Sequence, residues 1–355
     1  MLIEGVFAAV STPFYPDERV YFRKLEANMA RYSRSLLAGM VVLGSTGEAV
    51  MLDDAESRDV LRCAAEAASP EKVLIAGVGR QSVKATVELA EDAARRRYDA
   101  VLVRPPTYYA GQMPDTAILH YFRSVADRSP LPVVLYNVPK FVPYPIPVEA
   151  VAELAMHPNI IGLKDSTGSV DRVRALVAAT VRAPRRTVTV TPIFEAVTAR
   201  MSTPAGEAGS GLLSALDLAS GSVSASAQSV ATLAPALKTR SKEVGFQILT
   251  GSASTLLESL EAGAGGAVLA FAACAPQACQ DVYLAWKDHD LGLAKENQKR
   301  IVAASERIVG ELGIAGIKYA CDFNGYFGGR ARSPLLSLTA EQKTVIENLL
   351  AEIRN

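Results

Sequence analysis

One amine and a set of hydroxyls recur at equivalent places along the chain, each where a short apolar run gives way to turn residues. Ile160-Ile161-Gly162-Leu163 has the length and content of a buried strand, and it is followed by Lys164 and then by Asp165, Ser166 and Gly168 as turn chemistry. Ser45 and Thr46 follow the run 39–43, Tyr108 and Tyr109 follow 100–103, Tyr136 closes 133–136, and Ser252 and Ser254 follow 246–249. A lysine at a strand end is poorly solvated on its strand side; burial disfavours the ammonium and leaves the amine as a nucleophile for a ketone. Condensed with a 2-oxo acid, it gives a protonated imine that accepts electrons, so that a carbon–carbon bond beyond it breaks or forms. Ser45 and Thr46, in the Gly-flanked loop GSTGE, offer hydroxyls and backbone N–H groups to the substrate carboxylate. Tyr136 is placed to relay a proton through Ser45.

Each residue also has an ordinary reading. Lys164 can reach out to water or pair with Asp165, GSTGE can be a tight turn only, and strand-end tyrosines are commonly packing residues. Glu48 is assigned to stabilising a helix terminus.

The elements that must position these groups alternate strictly. Strands at 5–10, 39–43, 73–77, 100–103, 133–136 and 160–163 are separated by helices at 25–37, one capped by Asp53 with Glu56, then 83–94, 118–125 and 148–155, with 170–181 following the sixth strand. After an interruption, 246–249 and 266–270 bring the strands to eight. Such alternation predicts an α/β fold, a (β/α)8 TIM barrel, which would gather all the strand ends over one pocket. The barrel is expected to occupy 1–275. Helices at 277–286, 293–312 and one capped by Thr339 with Gln342 form a C-terminal helical extension over 276–355. The rhythm fails between 182 and 238, where Ala, Ser, Thr and Pro dominate; this predicts an insertion between helix 6 and strand 7, partly disordered or running over the surface.

Composition narrows the function. The 37 Lys+Arg and 37 Asp+Glu cancel, so there is no field to attract nucleic acid or an anionic membrane, and a small-molecule site is expected. The amino terminus has no signal-like pattern, and no uncharged run is long enough to span a bilayer. Four scattered cysteines and three histidines lack metal-ligand spacing, so a reduced cytoplasmic protein with no metal and no cofactor is expected.

Gly44 to Glu48 (GSTGE), Tyr136-Asn137-Val138-Pro139 and Gly162 to Gly168 (GLKDSTG), in that order and spacing, resemble the dihydrodipicolinate synthase and N-acetylneuraminate lyase family of class I pyruvate aldolases. The resemblance runs from Gly5 to the final helix, except the insertion. It implies Lys164 as the Schiff-base lysine, Tyr136 as the proton-relay tyrosine, and Ser45 and Thr46 as ligands of the pyruvyl carboxylate. It also implies a supporting role for Tyr108 or Tyr109, in some members reaching a neighbouring subunit, and a homodimer or homotetramer. Within the family, 4-hydroxy-2-oxoglutarate aldolases are the most similar group, through Tyr108-Tyr109 with Gly111 and Met113, residues 129–136, His157-Pro158-Asn159-Ile160, Lys164-Asp165-Ser166, Gly328-Gly329 and Arg332-Ser333-Pro334-Leu335. In that group the serine matching Ser166 helps hold the substrate's second carboxylate.

Two departures bear on substrate. Synthases of the family place an arginine two residues after YNVP, where Phe141 stands here after Lys140; sugar-acid members place acidic residues after the seventh strand, where Gly251 to Ser254 reads GSAS. The expected reaction is retro-aldol cleavage of a short 4-hydroxy-2-oxo acid to pyruvate and an aldehyde such as glyoxylate. The alternatives are aldol synthesis, cleavage or dehydration of a sugar acid, and a non-catalytic oxo-acid sensor. The insertion lies between a helix and the next strand, and is expected on the face opposite the site.

Overall fold

Apolar runs form parallel strands when helices cover one face and the barrel interior the other, because both faces are then withdrawn from water. In the computed structural model, which describes residues 1–193, 195–201 and 238–353, the strands are β1 (Gly5–Ala9), β2 (Gly39–Val42), β3 (Val73–Gly77), β4 (Ala100–Val103), β5 (Val133–Asn137), β6 (Ile160–Asp165), β7 (Arg186–Val190), β8 (Arg240–Val244), β9 (Gln247–Thr250) and β10 (Gly266–Leu269). Eight of them close into a barrel in the order β1-β10-β9-β6-β5-β4-β3-β2, with every ladder parallel. This is the barrel that the alternation predicts.

The helices are α1 (Phe22–Ser33), α2 (Asp54–Ala67), α3 (Val83–Arg95), α4 (Asp115–Arg128), α5 (Val148–Leu154), α6 (Val170–Thr180), α7 (Leu256–Glu261), α8 (Pro276–Lys287), α9 (Leu291–Ser305), α10 (Gly313–Phe323) and α11 (Ala340–Leu350). Asp53 with Glu56 and Thr339 with Gln342 both form reciprocal capping boxes, as their spacing predicts.

Two expectations need correction. Residues 293–312 are not one helix: α9 ends at Ser305, a π-helical turn covers Glu306–Glu311, and α10 follows. Gly310 and Gly313 weaken any helical pattern here, and Gly313 adopts φ +61°, which resets the chain direction. The interruption is also not wholly irregular, because β7 pairs antiparallel with β8. The signal was the alternation in Arg-Thr-Val-Thr-Val: Val188 and Val190 turn inward against Leu2, while Thr187 and Thr189 face water. The Ser- and Ala-rich runs of the insertion and its Pro204-Ala205-Gly206 and Gly209-Ser210-Gly211 lie outside the described residues.

The ribbon sits at the amino-terminal ends of the barrel strands. Lys242 Nζ bonds the Glu4 carboxylate at 2.7 Å, just before β1, and Arg186 donates to the carbonyls of Pro158 (3.0 Å) and Ile160 (2.8 Å), at the start of β6. This is the face opposite Lys164, as the position of the insertion predicts. The C-terminal helices pack on the barrel: Asn324 Nδ2 donates to the Cys274 carbonyl at 2.9 Å, and the rings of Tyr326 and Tyr32 stack at 4.6 Å. Among the described residues no helix is long and apolar enough to cross a membrane.

Candidate active site

Inward-facing residues of a barrel stack in layers, and the layer at the carboxyl ends of the strands is where chemistry collects. The β5–β6 ladder pairs Tyr136 with Lys164, so two inward-facing side chains on neighbouring strands share one level. Lys164 is 4% exposed, and its Nζ lies over the Tyr136 ring, 4.3 Å from the centroid. The Tyr136 hydroxyl in turn is 3.2 Å from Ser45 Oγ. Amine, phenol and serine hydroxyl therefore stand in sequence across the mouth of the barrel.

Both ordinary readings of Lys164 fail on this geometry. The side chain does not reach to bulk water, and Asp165 is engaged elsewhere. The Asp165 carboxylate, 1% exposed, accepts from Asn137 Nδ2 (2.8 Å), the Thr167 N–H (3.0 Å), the Thr167 hydroxyl and Arg172 Nε (2.8 Å). Asn137 Oδ1 accepts the Ile146 N–H at 3.0 Å. This network fastens the ends of β5 and β6 together directly beyond Tyr136 and Lys164, which fixes the two reactive groups relative to each other.

A cavity of about 460 Å³ opens over Lys164 and is lined by Ser45, Thr46, Tyr136, Ser166, Ser252 and Ser254 among others. Ser252 Oγ and Ser254 Oγ are hydrogen-bonded at 3.0 Å. The structure thus gathers seven of the nine residues singled out in the sequence. Tyr108 and Tyr109 are the exceptions: their rings pack edge to face at 5.0 Å, are 81% and 59% exposed, and line neither this cavity nor its neighbour. The turn that follows β4 is held by Gln81, whose Oε1 accepts the Tyr108 N–H at 3.2 Å, and it leaves both rings on the surface, so this chain does not supply either ring to its own Tyr136.

The loop bearing Ser45 and Thr46 is bracketed by two residues in the left-handed region, Leu43 (φ +60°) and Glu48 (φ +54°). Such conformations cost about 1–3 kcal/mol each and persist where the surroundings impose them. At Leu43 the space comes from Gly77, where a Cβ would lie 2.0 Å from the Leu43 carbonyl oxygen. At Glu48 the hold is ionic: its carboxylate pairs with Lys318 Nζ at 2.5 Å, both side chains being 1% exposed, and accepts the Arg332 N–H at 2.8 Å. Burial lowers the Lys318 pKa, and the Glu48 carboxylate opposes that shift. Glu48 is therefore not a helix-terminus residue, since α2 begins only at Asp54; it ties the loop bearing Ser45 and Thr46 to α10. Within the loop, the N–H groups of Gly47 and Glu48 close turns on Gly44 and Ser45, so an anion would be met by Ser45 and Thr46 instead.

Sequence reasoning missed Lys318, the π-helical turn that lines the cavity, and Arg104. Arg104 had a signal. It follows β4 in the inward-facing series Ala100, Leu102, and the ladder pairs Leu102 with Val134, so two residues on it stands level with Tyr136. Lys140, which precedes Phe141 in the position discussed above, donates to the Gly310 carbonyl at 2.5 Å and tethers the π-helical turn. Phe141 lines the same cavity.

The family model described as the dihydrodipicolinate synthetase family matches residues 2–184 and 221–353. A protein of Emericella nidulans named "probable 4-hydroxy-2-oxoglutarate aldolase, mitochondrial" is 37% identical over 183 residues, 50% of this chain and 59% of that protein. An L-threo-3-deoxy-hexylosonate aldolase of Hypocrea jecorina is 28% identical over 98% of this chain and 95% of its own length. A 4-hydroxy-tetrahydrodipicolinate synthase of Acidiphilium cryptum is 26% identical over 96% and 95%. Among solved structures, a dihydrodipicolinate synthase of Bacillus anthracis has a TM-score of 0.77 at 20% identity, covering 99% of each chain. A dihydrodipicolinic acid synthase family protein of E. coli K12, solved with pyruvate, has a TM-score of 0.77 at 22% identity, again covering 99% of each chain. These share the fold. With the family model spanning most of its length and named aldolases among its relatives, this chain is a lyase of the dihydrodipicolinate synthetase family.

Proposed function

We propose that this protein is a Schiff-base aldolase that cleaves 4-hydroxy-2-oxoglutarate, or a short 4-hydroxy-2-oxo acid like it, to pyruvate and an aldehyde such as glyoxylate. The observation that carries this reading is the row Lys164–Tyr136–Ser45, in which a buried amine, a phenol and a serine hydroxyl succeed one another. The Lys164 amine attacks C2 of the oxo acid, and loss of water leaves a protonated imine. The Tyr136 oxygen, having given its proton to the departing water, takes the proton of the C4 hydroxyl; the C3–C4 bond breaks, its electrons pass to the iminium, and the aldehyde leaves from an enamine. Protonation at C3 and hydrolysis then release pyruvate and return the amine. Ser45 serves the relay through its bond to Tyr136, and Ser45 and Thr46 hold the C1 carboxylate. No step calls for a cofactor.

Substrate choice within the family follows from the lining. Phe141 at the arginine position disfavours the synthase reaction, and Ser252 and Ser254 in place of acidic residues disfavour a long polyol. Tyr108 and Tyr109, exposed on the lone chain, suit a homodimer or homotetramer in which one subunit's tyrosine completes its neighbour's relay. The four cysteines are buried thiols, which suits a reducing compartment, the cytoplasm in our reading. The test is a substrate panel: release of pyruvate and glyoxylate from 4-hydroxy-2-oxoglutarate, set against 2-keto-3-deoxy sugar acids and the synthase condensation. Turnover highest on the sugar acids would overturn the substrate assignment while leaving the imine chemistry in place.

A further inference from the structure

Arg104 carries a charge that the imine chemistry leaves unused. It lines a second cavity of about 580 Å³ that shares Ser45, Tyr136, Val138 and Phe141 with the cavity over Lys164. The two cavities meet along these shared residues. Neighbouring strands lie about 4.8 Å apart, so the backbones of Arg104 and Lys164, two strands from each other, are separated by roughly 10 Å. Two long side chains with a short substrate between them fill that gap.

The site is built for this arginine. A Cβ on Gly79 would lie 2.8 Å from Arg104 Cγ and 2.9 Å from its backbone nitrogen, so the glycine just after β3 is what lets the stem pass. Of the five guanidinium donors, Nη1 bonds the Pro105 carbonyl at 3.1 Å, and among the described residues no carboxylate pairs with the group. The other arginine of this cavity, Arg80, is committed: its Nε faces Asp54 at 3.3 Å and its Nη2 donates to Ser57 Oγ at 2.9 Å. Burial lowers the Arg104 pKa, and Arg80 adds to that, yet a guanidinium stays protonated in a protein. A half-buried cation with spare, forked donors is matched by a carboxylate, which binds both arms at once.

We propose that Arg104 is a specificity-determining residue: its guanidinium holds a second carboxylate on the distal half of the substrate, so the enzyme prefers 4-hydroxy-2-oxo diacids to analogues with a neutral tail. The proposal rests on the reading in which Lys164 fixes C2 and the Ser45–Thr46 loop fixes C1, because these point the remaining carbons past Tyr136. Ser166 lines only the first cavity and Arg104 only the second, so the two do not share one carboxylate, and the Arg104 variants decide between the two positions.

The test is a ratio. For the full-length protein, Arg104→Gln and Arg104→Lys, kcat/KM is measured with 4-hydroxy-2-oxoglutarate and with 4-hydroxy-2-oxopentanoate, whose tail ends in a methyl group. In the same preparations, trapping of pyruvate on Lys164 with borohydride reports the fold and the imine. The wild type is expected to prefer the diacid at least about tenfold, Arg104→Gln to lower that preference about 10- to 100-fold, and Arg104→Lys to retain an intermediate part. A preference within about threefold of wild type in a trapping-competent Arg104→Gln protein, or in Arg104→Lys should the Gln variant not fold, overturns the role of Arg104 alone. A wild type that traps no pyruvate overturns the imine reading and this proposal with it.

Discussion

Lys164 and Tyr136 face each other across the β5–β6 ladder, with the amine 4.3 Å from the centre of the phenol ring. Their relative position is set by backbone hydrogen bonds between two buried strands, not by a loop. Beyond them, Asp165 and Asn137 are joined by a 2.8 Å hydrogen bond, so the rungs on both sides of the pair are fastened. Rigid elements hold reacting groups more closely than loops do.

Replacing Tyr136 by Phe keeps the ring beside Lys164 and removes the hydroxyl that meets Ser45 at 3.2 Å. Because the phenol is assigned proton transfer, kcat is expected to fall about 10²- to 10⁴-fold while pyruvate is still trapped on Lys164. Ser45→Ala is expected to cost less, as Tyr136 stays in place. A Tyr136→Phe enzyme within about fivefold of wild type would remove the tyrosine from the relay.

Asp165 is buried and serves Arg172, Asn137 and Thr167 at once. Asp165→Ala strands the Arg172 guanidinium against the end of β6, and breaking a buried pair by deleting one partner typically costs about 3–5 kcal/mol. Urea denaturation measures this. A loss under about 1 kcal/mol would show that the network does not hold the strand ends.

The Glu48–Lys318 pair joins the substrate loop to α10. Lys318→Met leaves a buried carboxylate without its cation and is expected to destabilise the fold by about 3–5 kcal/mol. Glu48→Gln in the same background should restore part of that loss. Since Ser45 and Thr46 ride on this loop, KM is expected to rise several-fold in Lys318→Met; an unchanged KM would separate α10 from the site.

The Arg332 guanidinium holds the Glu56 carboxyl below its usual value of 4.5, chiefly through their hydrogen bond, with burial opposing and the Asp53 N–H adding to it. A carboxylate depressed in the folded state contributes stability above its unfolded pKa and loses it as pH falls through the folded value. The stability difference between wild type and Arg332→Met should therefore be flat above about pH 5 and shrink below 4.5. A difference that grows on acidification would contradict the assignment.

Legibility in the sequence followed how local each signal was. The barrel strands and most helices were readable because burial on both faces of a parallel sheet writes itself as short apolar runs between turn residues. Ser45, Tyr136, Lys164, Ser166, Ser252 and Ser254 were readable because each directly follows or closes such a run. Arg104 satisfied the same rule, but as one more turn residue beside Pro105 it stood out only once the β4–β5 register was known. Glu48 and Lys318 are 270 positions apart in the chain, and no local pattern joins them. The β7–β8 ribbon was hidden by its polar outer face and by the distance between its strands.

The most direct test of Lys164 as the Schiff-base residue is borohydride reduction with pyruvate present, followed by peptide mass analysis, on wild type and Lys164→Ala. The expected result is a stable adduct that maps to Lys164 and is absent from the variant. A folded wild-type protein that gains no mass, or gains it on another residue, would contradict it.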